Sequence, residues 1–201
     1  MELGRQFAVI TPHQQEDLAR RYEAAPAFDN NAVPAYRSMA EETKRQFDQL
    51  TAPKSRGGEG VAVTVAKQDP YSGPAELFKD ISERHHMGVL ATSETGGHPV
   101  FSNDENDMFR AVHDYYGHHQ TQRGFDRHGE ESAYQAHAQM YSPQAQQALA
   151  TETRGQNAVL VRRGAFPEQK VALIGAERLG APGGRRSAVL QARQMHQAQG
   201  L

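Results

Sequence analysis

The sequence predicts a mainly α protein with a small β element, an α+β fold in which a single globular domain follows an N-terminal helical arm. Three observations lead there. Apolar residues recur at intervals of three and four along much of the chain, as they do on one face of a helix. Only two short runs, Val61 to Val65 and Met87 to Thr92, have strand character. At 201 residues and 37% hydrophobic content the chain can enclose one core but hardly two, and a mean hydropathy of -0.76 makes that core economical.

Taken in order, Thr11-Pro12 pairs a capping hydroxyl with proline at a first helical position, so Gln14 to Glu23 follows as a short polar helix. From Pro34 to Leu50 the positions Tyr36, Met39, Ala40, Phe47 and Leu50 form an apolar stripe, which predicts an amphipathic helix. Thr51 to Gly60, rich in Pro, Gly and basic residues, reads as a loop. The first strand is Val61 to Val65. Turn residues at Asp69 to Pro74 then lead into a helix from Ala75 to about Arg84, and the second strand stops at Glu94-Thr95-Gly96-Gly97. The two strands are expected to pair.

Beyond Ser102 the pattern is helical again, with Phe109, Val112 and Tyr116 on one stripe and Asp104, Glu105 and Asp107 near the positive N-terminal end. His113, four residues after Phe109, joins that stripe. Gly117 is expected to end the helix. Further helices are predicted over Glu130 to Met140 and from Ser142-Pro143 to about Asn157. The remainder holds Phe166 to Lys170, an apolar run Val171 to Ile174, the breakers Gly180 to Gly184 and a polar helix or tail.

Composition narrows the functional classes. A formal charge of -2, from 22 basic and 24 acidic residues without a basic block, gives no nucleic-acid signal. Without cysteine there are no disulfides, thiolate ligands or Cys nucleophiles, so a metal must be held by His and carboxylate. The first residues lack a signal-peptide pattern and no run has the roughly 20 apolar residues of a membrane helix, so a cytoplasmic protein is expected. HExxH, GxSxG and phosphate-loop patterns are absent.

Five of the ten histidines, His113, His118, His119, His128 and His137, fall in one short stretch. His113 and His118 are five apart, which on a regular α-helix separates their faces. A bend at Gly117 is expected to bring both to one ion. Two imidazoles and a carboxylate on one side of an ion, with open positions opposite, suit Fe(II), with Zn(II) as the alternative. For the carboxylate, Glu152 shares a face with Leu149 and Gln156, while Glu130 shares a face with Tyr134 and His137 and stands in reserve beside Glu131. Arg154, Gln156 and Asn157 are placed to hydrogen-bond the ligand or a substrate. His13, His85, His86, His98 and His196 read as surface residues. In the competing account His113 and His118 are a packed and a surface histidine, and Glu152 pairs with Arg154 or Arg123.

The run His113-Asp114-Tyr115-Tyr116-Gly117-His118 resembles the iron-binding run of the pterin-dependent aromatic amino acid hydroxylases, and Thr151-Glu152 with Gly155 resembles the later helical segment of that family. The resemblance implies His113, His118 and Glu152 as iron ligands and Asp114 at an acidic position near a pterin. The separation of His118 from Glu152 is shorter than usual there, and Arg110 stands where an acidic residue is usual. A second resemblance, from Met108 through His118, Gly129 to Glu131, Met140 to Pro143, Glu152 to Asn157 and Phe166 to Lys170, is to an uncharacterised domain of phage proteins and large multi-domain bacterial polypeptides.

The expectation is therefore a helical arm over 1–55, a metal-site domain over 56–180 and a C-terminal helix or tail over 181–201. Its function is that of a mononuclear non-haem Fe(II) oxygenase of hydroxylase type. A zinc hydrolase on the same ligands and a structural or interaction module of a phage-type assembly are the alternatives. Substrate, whether small or polymer-borne, and oligomeric state are not specified.

Overall fold

The computed structural model describes residues 7–177. The expected breaker run from Gly180 and the tail over 181–201 lie outside the described residues, as does His196.

The fold is mainly helical with one small sheet. Helix α1, Pro12–Ala24, begins in a capping box: Thr11 Oγ1 accepts from Gln14 N at 3.2 Å, and the Gln14 side chain accepts from Thr11 N at 2.9 Å. Helix α2, Val33–Thr51, carries Pro34 in its first turn, where the missing N–H costs nothing. Strand β1, Ala62–Ala66, pairs in parallel with β2, His86–Leu90, with Val63 opposite Met87. The parallel sense follows from the connection, because helix α3, Pro74–Arg84, carries the chain back to the starting edge. Among the described residues no helix is long and apolar enough to cross a membrane.

Helix α4, Asn103–Val112, starts in a second capping box built by Ser102 and Glu105. It does not stop at Gly117 as expected. The chain continues as a π-helical segment from His113 to His119, shown by the five-residue bond from Gln120 N to Tyr115 O at 2.9 Å. Helix α5 spans Arg127–Ala138 and α6 spans Pro143–Ala150. A second π-helical segment, Thr151–Gly155, joins α6 to α7, Gln156–Arg163, so this helical run outlasts its expected end at Asn157.

Two apolar cores flank α4. The larger takes Leu18, Tyr22, Tyr36 and Met39 from α1 and α2, with Leu149 and Val159 from the α6–α7 run. All six are essentially inaccessible, and each such burial is worth about 1.5–3 kcal/mol. The segment read as an arm thus supplies much of the main core. The smaller core joins Leu50, Leu77, Ile81, Met87 and Val112 to Tyr115 and Tyr116. Phe109 belongs to one core and Val112 to the other. The α4 axis therefore runs along their seam, and the first π-helical segment prolongs it beside α5.

Candidate metal centre

Widening the helix changes what a five-residue spacing means. In an α-helix residues i and i+5 diverge, whereas in a π-helix the bonded pair is i and i+5, so side chains at that spacing rise on one side. His113 and His118 are brought together by this geometry, not by a bend at Gly117. Their rings lie 5.1 Å apart and nearly perpendicular, at 89°. Gly117 has a different task. A Cβ there would sit 3.1 Å from Ala133 Cβ and 3.2 Å from Ala133 O, so its absence lets the segment lie directly against α5.

Helix α5 is fixed just as closely. Asp126 caps it through His128 N at 2.8 Å and Gly129 N at 3.0 Å. A Cβ on Gly129 would meet Gly124 O at 1.8 Å, so the preceding loop folds onto the first turn only with glycine there. That turn carries Glu130. One donor atom from each of His113, His118 and Glu130 lies within 4.8 Å of the other two. Glu130, the reserve choice of the sequence reading, is the carboxylate that the fold brings to the two histidines. His118 Nε2 lies 3.6 Å from Glu130 Oε1, beyond a hydrogen bond.

Neither imidazole is free to turn its lone pair at random. His118 Nδ1 lies 2.9 Å from the backbone carbonyl of Arg123, an acceptor only, so Nδ1 carries a proton and Nε2 is the nitrogen that faces Glu130 and is open to an ion once deprotonated. His113 Nδ1 lies 3.1 Å from Nδ1 of His137. His137 in turn places Nε2 2.7 Å from Gln46 Oε1, and Gln46 Nε2 lies 3.3 Å from Met140 O.

Burial sets the charge of these groups. It pushes the His113 imidazole well below its ordinary range, with His118 and His137 adding to the effect, and it pushes His137 down to about 3. Both are neutral at pH 7. At His118 burial also pulls downward, but the Glu130 carboxylate and then Asp114 outweigh it and leave the pKa raised. Asp114 is pushed up to about 6 by burial and by Glu130, against the pull of His118. It adjoins the site electrostatically. Glu130 keeps 24% of its side-chain surface and lines a small cleft with Gln15, Arg127, Arg154 and Asn157. The site is thus closed around His118 and open at the carboxylate.

Glu152 stands elsewhere. Its carboxylate accepts from Tyr36 Oη at 2.9 Å, Gln156 Nε2 at 2.9 Å and Gln169 Nε2 at 2.8 Å on each oxygen. The expected bond from Gln156 forms, and the expected approach of Glu152 to His113 and His118 does not. The reason is the second π-helical segment. A Cβ on Gly155 would lie 2.7 Å from the Tyr22 ring and 2.8 Å from Ile174, so this segment is held against α1 and the 171–176 stretch, where Glu152 meets α2. Arg154 pairs neither with Glu152 nor with the metal group. It grips Glu131 through Nε at 2.9 Å and through Nη2, donates to Ala176 O at 2.7 Å and lies 4.0 Å above the Tyr134 ring.

Two further histidine side chains are buried, one of them, His98, expected at the surface. His137 is inaccessible, a position its shared face with Glu130 already signalled. The His98 side chain is 1% exposed, stacks on Phe101 at 4.3 Å and accepts from Val100 N and Phe101 N through Nδ1, which leaves Nε2–H pointing at Glu152 Oε1, 3.4 Å away. Nothing in the turn-rich sequence around His98 marks it. Gln46, 91 residues from His137, carried no signal either. Comparison with protein-family models, with curated proteins and with solved structures gave no match.

Proposed function

We propose that His113, His118 and Glu130 bind one divalent transition-metal ion, and that the protein is a mononuclear non-haem Fe(II)-dependent oxygenase of hydroxylase type. One observation supports this reading above others. Three donors of the type that holds Fe(II) on one face come within 4.8 Å of one another, and the hydrogen bonds of both imidazoles leave a lone pair for that common point. The donor set fits the ion chemically: two imidazoles, one carboxylate and no thiolate, with His113 neutral and His118 giving up its raised-pKa proton to the ion.

When bound, Fe(II) supplies redox chemistry with dioxygen at the positions that protein ligands leave open. The chain's own residues do the rest. His118 closes the inner side, with the half-exposed Phe125 ring edge to face on it at 4.8 Å, while Glu130 faces the cleft from which a substrate approaches. Pterin is not part of the proposal, since the resemblance that suggested it assigned Glu152 to the iron.

The same three ligands suit Zn(II) with a bound water, because one carboxylate and two histidines leave a fourth position on the open side. Metal analysis of protein loaded anaerobically with Fe(II) or with Zn(II) tests both readings. The expected result is about one ion per chain, lost in His118→Ala and Glu130→Ala and kept in Glu152→Ala. Oxygen uptake that follows iron content supports the oxygenase, and hydrolysis restored by zinc alone supports the alternative. Absence of any bound ion in a folded protein leaves a structural or interaction module.

A further inference from the structure

We infer that His137 and Gln46 are positioning residues that fix His113 in its Nδ1–H tautomer, through a hydrogen-bond relay anchored on the backbone carbonyl of Met140. The inference rests on the metal-binding reading and adds to it the groups that prepare one ligand. Each polarity in the relay is forced by the one before it. Met140 O can only accept, so the atom 3.3 Å away on Gln46 is the amide nitrogen and Oε1 faces His137. Because Oε1 only accepts, His137 Nε2, at 2.7 Å, carries a proton. His137 is inaccessible and bonds to no carboxylate, so it holds a single proton; its Nδ1 is bare and the proton in the 3.1 Å contact belongs to His113. With its proton committed to that contact, His113 keeps Nε2 for the ion.

The two ligands reach the same tautomer by different means. His118 needs one backbone carbonyl, that of Arg123. His113 needs three links, drawn from α5, α2 and the turn after α5. His137 is inaccessible and Gln46 is 7% exposed. Polar groups so deeply buried are costly unless every bond is made, and here every donor points the same way, from the ligand His113 to Met140 O.

Long-range 1H–15N NMR of 15N-labelled, metal-free protein reads the tautomer directly, and a competition titration with Zn(II) reads affinity. The wild type is expected to show His113 as Nδ1–H. Gln46→Leu is expected to move His113 toward Nε2–H, and both Gln46→Leu and His137→Phe to weaken Zn(II) by about 10–100-fold. Gln46→Glu, which keeps an acceptor for His137, is expected to restore the Nδ1–H signature and most of the affinity. An Nε2–H signature in the wild type overturns the inference, as do unchanged tautomer and affinity in the variants. If the wild type binds no Zn(II) or Fe(II), the metal reading fails, and the tautomer spectra still decide the relay without metal. If Gln46→Leu and His137→Phe do not fold, the wild-type spectrum decides it alone.

Discussion

Glu130 and Glu152 are both held in place by closely packed helical turns, and the difference between them lies in what their oxygens face. Glu152 is embedded in donors: three neutral side chains direct N–H or O–H groups at its two oxygens, with His98 Nε2–H a little farther off. Its bonding capacity is used within the protein. Around Glu130 the pattern is reversed. His113 and His118 bond through Nδ1 to His137 and Arg123 O, and each offers a ring nitrogen close to an anion. Donors converging on a carboxylate make a keystone, whereas lone pairs converging on a carboxylate make a place for a cation. Both arrangements use a π-helical turn, so such a turn alone does not distinguish structure from function.

Swapping the roles of the two carboxylates gives the largest contrast. Glu130→Gln is expected to reduce metal content from about one ion per chain to none while changing the thermal midpoint of the metal-free protein little, because Glu130 is partly solvated. Glu152→Ala is expected to keep the ion and cost about 1–3 kcal/mol of stability, since Gln169 Nε2 would lose its acceptor while Tyr36 Oη keeps Lys170 O and Gln156 Nε2 keeps Gln169 Oε1. Metal analysis beside urea unfolding separates these outcomes, and the reverse pattern would restore Glu152 to the site.

The glycines sharpen the comparison at the backbone. Gly117→Ala places a methyl 3.1 Å from Ala133 and is expected to cost about 1–3 kcal/mol and to weaken metal binding by separating the π-helical segment from α5. Gly155→Ala, at 2.7 Å from the Tyr22 ring, is expected to cost a similar amount with metal affinity unchanged. Equal losses of affinity in both variants would mean that the two turns are mechanically coupled.

What the sequence disclosed follows the reach of each signal. The helices announced themselves through local stripes and caps: Thr11-Pro12, Ser102 and Ser142-Pro143 begin α1, α4 and α6. The pair His113 and His118 was visible, and so was the shared face of Glu130 and His137. The π-helical continuation was not, because one extra residue per turn leaves no mark in a hydrophobic pattern of this length, and Gly117, which reads locally as a stop, serves a close contact with Ala133. Glu152 looked equally good on its own helix face, since only tertiary packing decides which buried carboxylate meets histidines and which meets amides. Gln46, 91 residues distant from its partner, was beyond any local reading.

Acid should act on the metal-free protein through the histidine cluster. His113 and His137 have pKa values depressed by burial, so below their unfolded value of about 6.5 the unfolded chain binds more protons than the native one. Their contribution is intact above pH 6.5 and is lost as pH falls; for His137 alone the loss is about 2 kcal/mol at pH 5. His118, raised by Glu130 and Asp114 against burial, acts in the opposite sense and offsets part of this. Urea unfolding at pH 7 and pH 5 is expected to show a net loss in the wild type and a smaller one in His137→Phe. A pH-independent midpoint over that interval would contradict neutral burial of the pair.

The smallest expected effect lies at Asp114, which touches the cluster through its field. Its carboxylate raises the His118 pKa, so it helps a proton compete with a metal for Nε2, yet its negative charge also favours a cation nearby. These tendencies oppose each other at neutral pH. Asp114→Asn is therefore expected to change Zn(II) affinity at pH 7 by less than about tenfold, which corresponds to about 1.4 kcal/mol. The pH at which the ion displaces the His118 proton should move downward, because the neighbour that stabilised the imidazolium is gone. A titration of Zn(II) affinity against pH reads both. Complete loss of binding in Asp114→Asn would give Asp114 a ligand's role and would require the three-donor assignment to be redrawn.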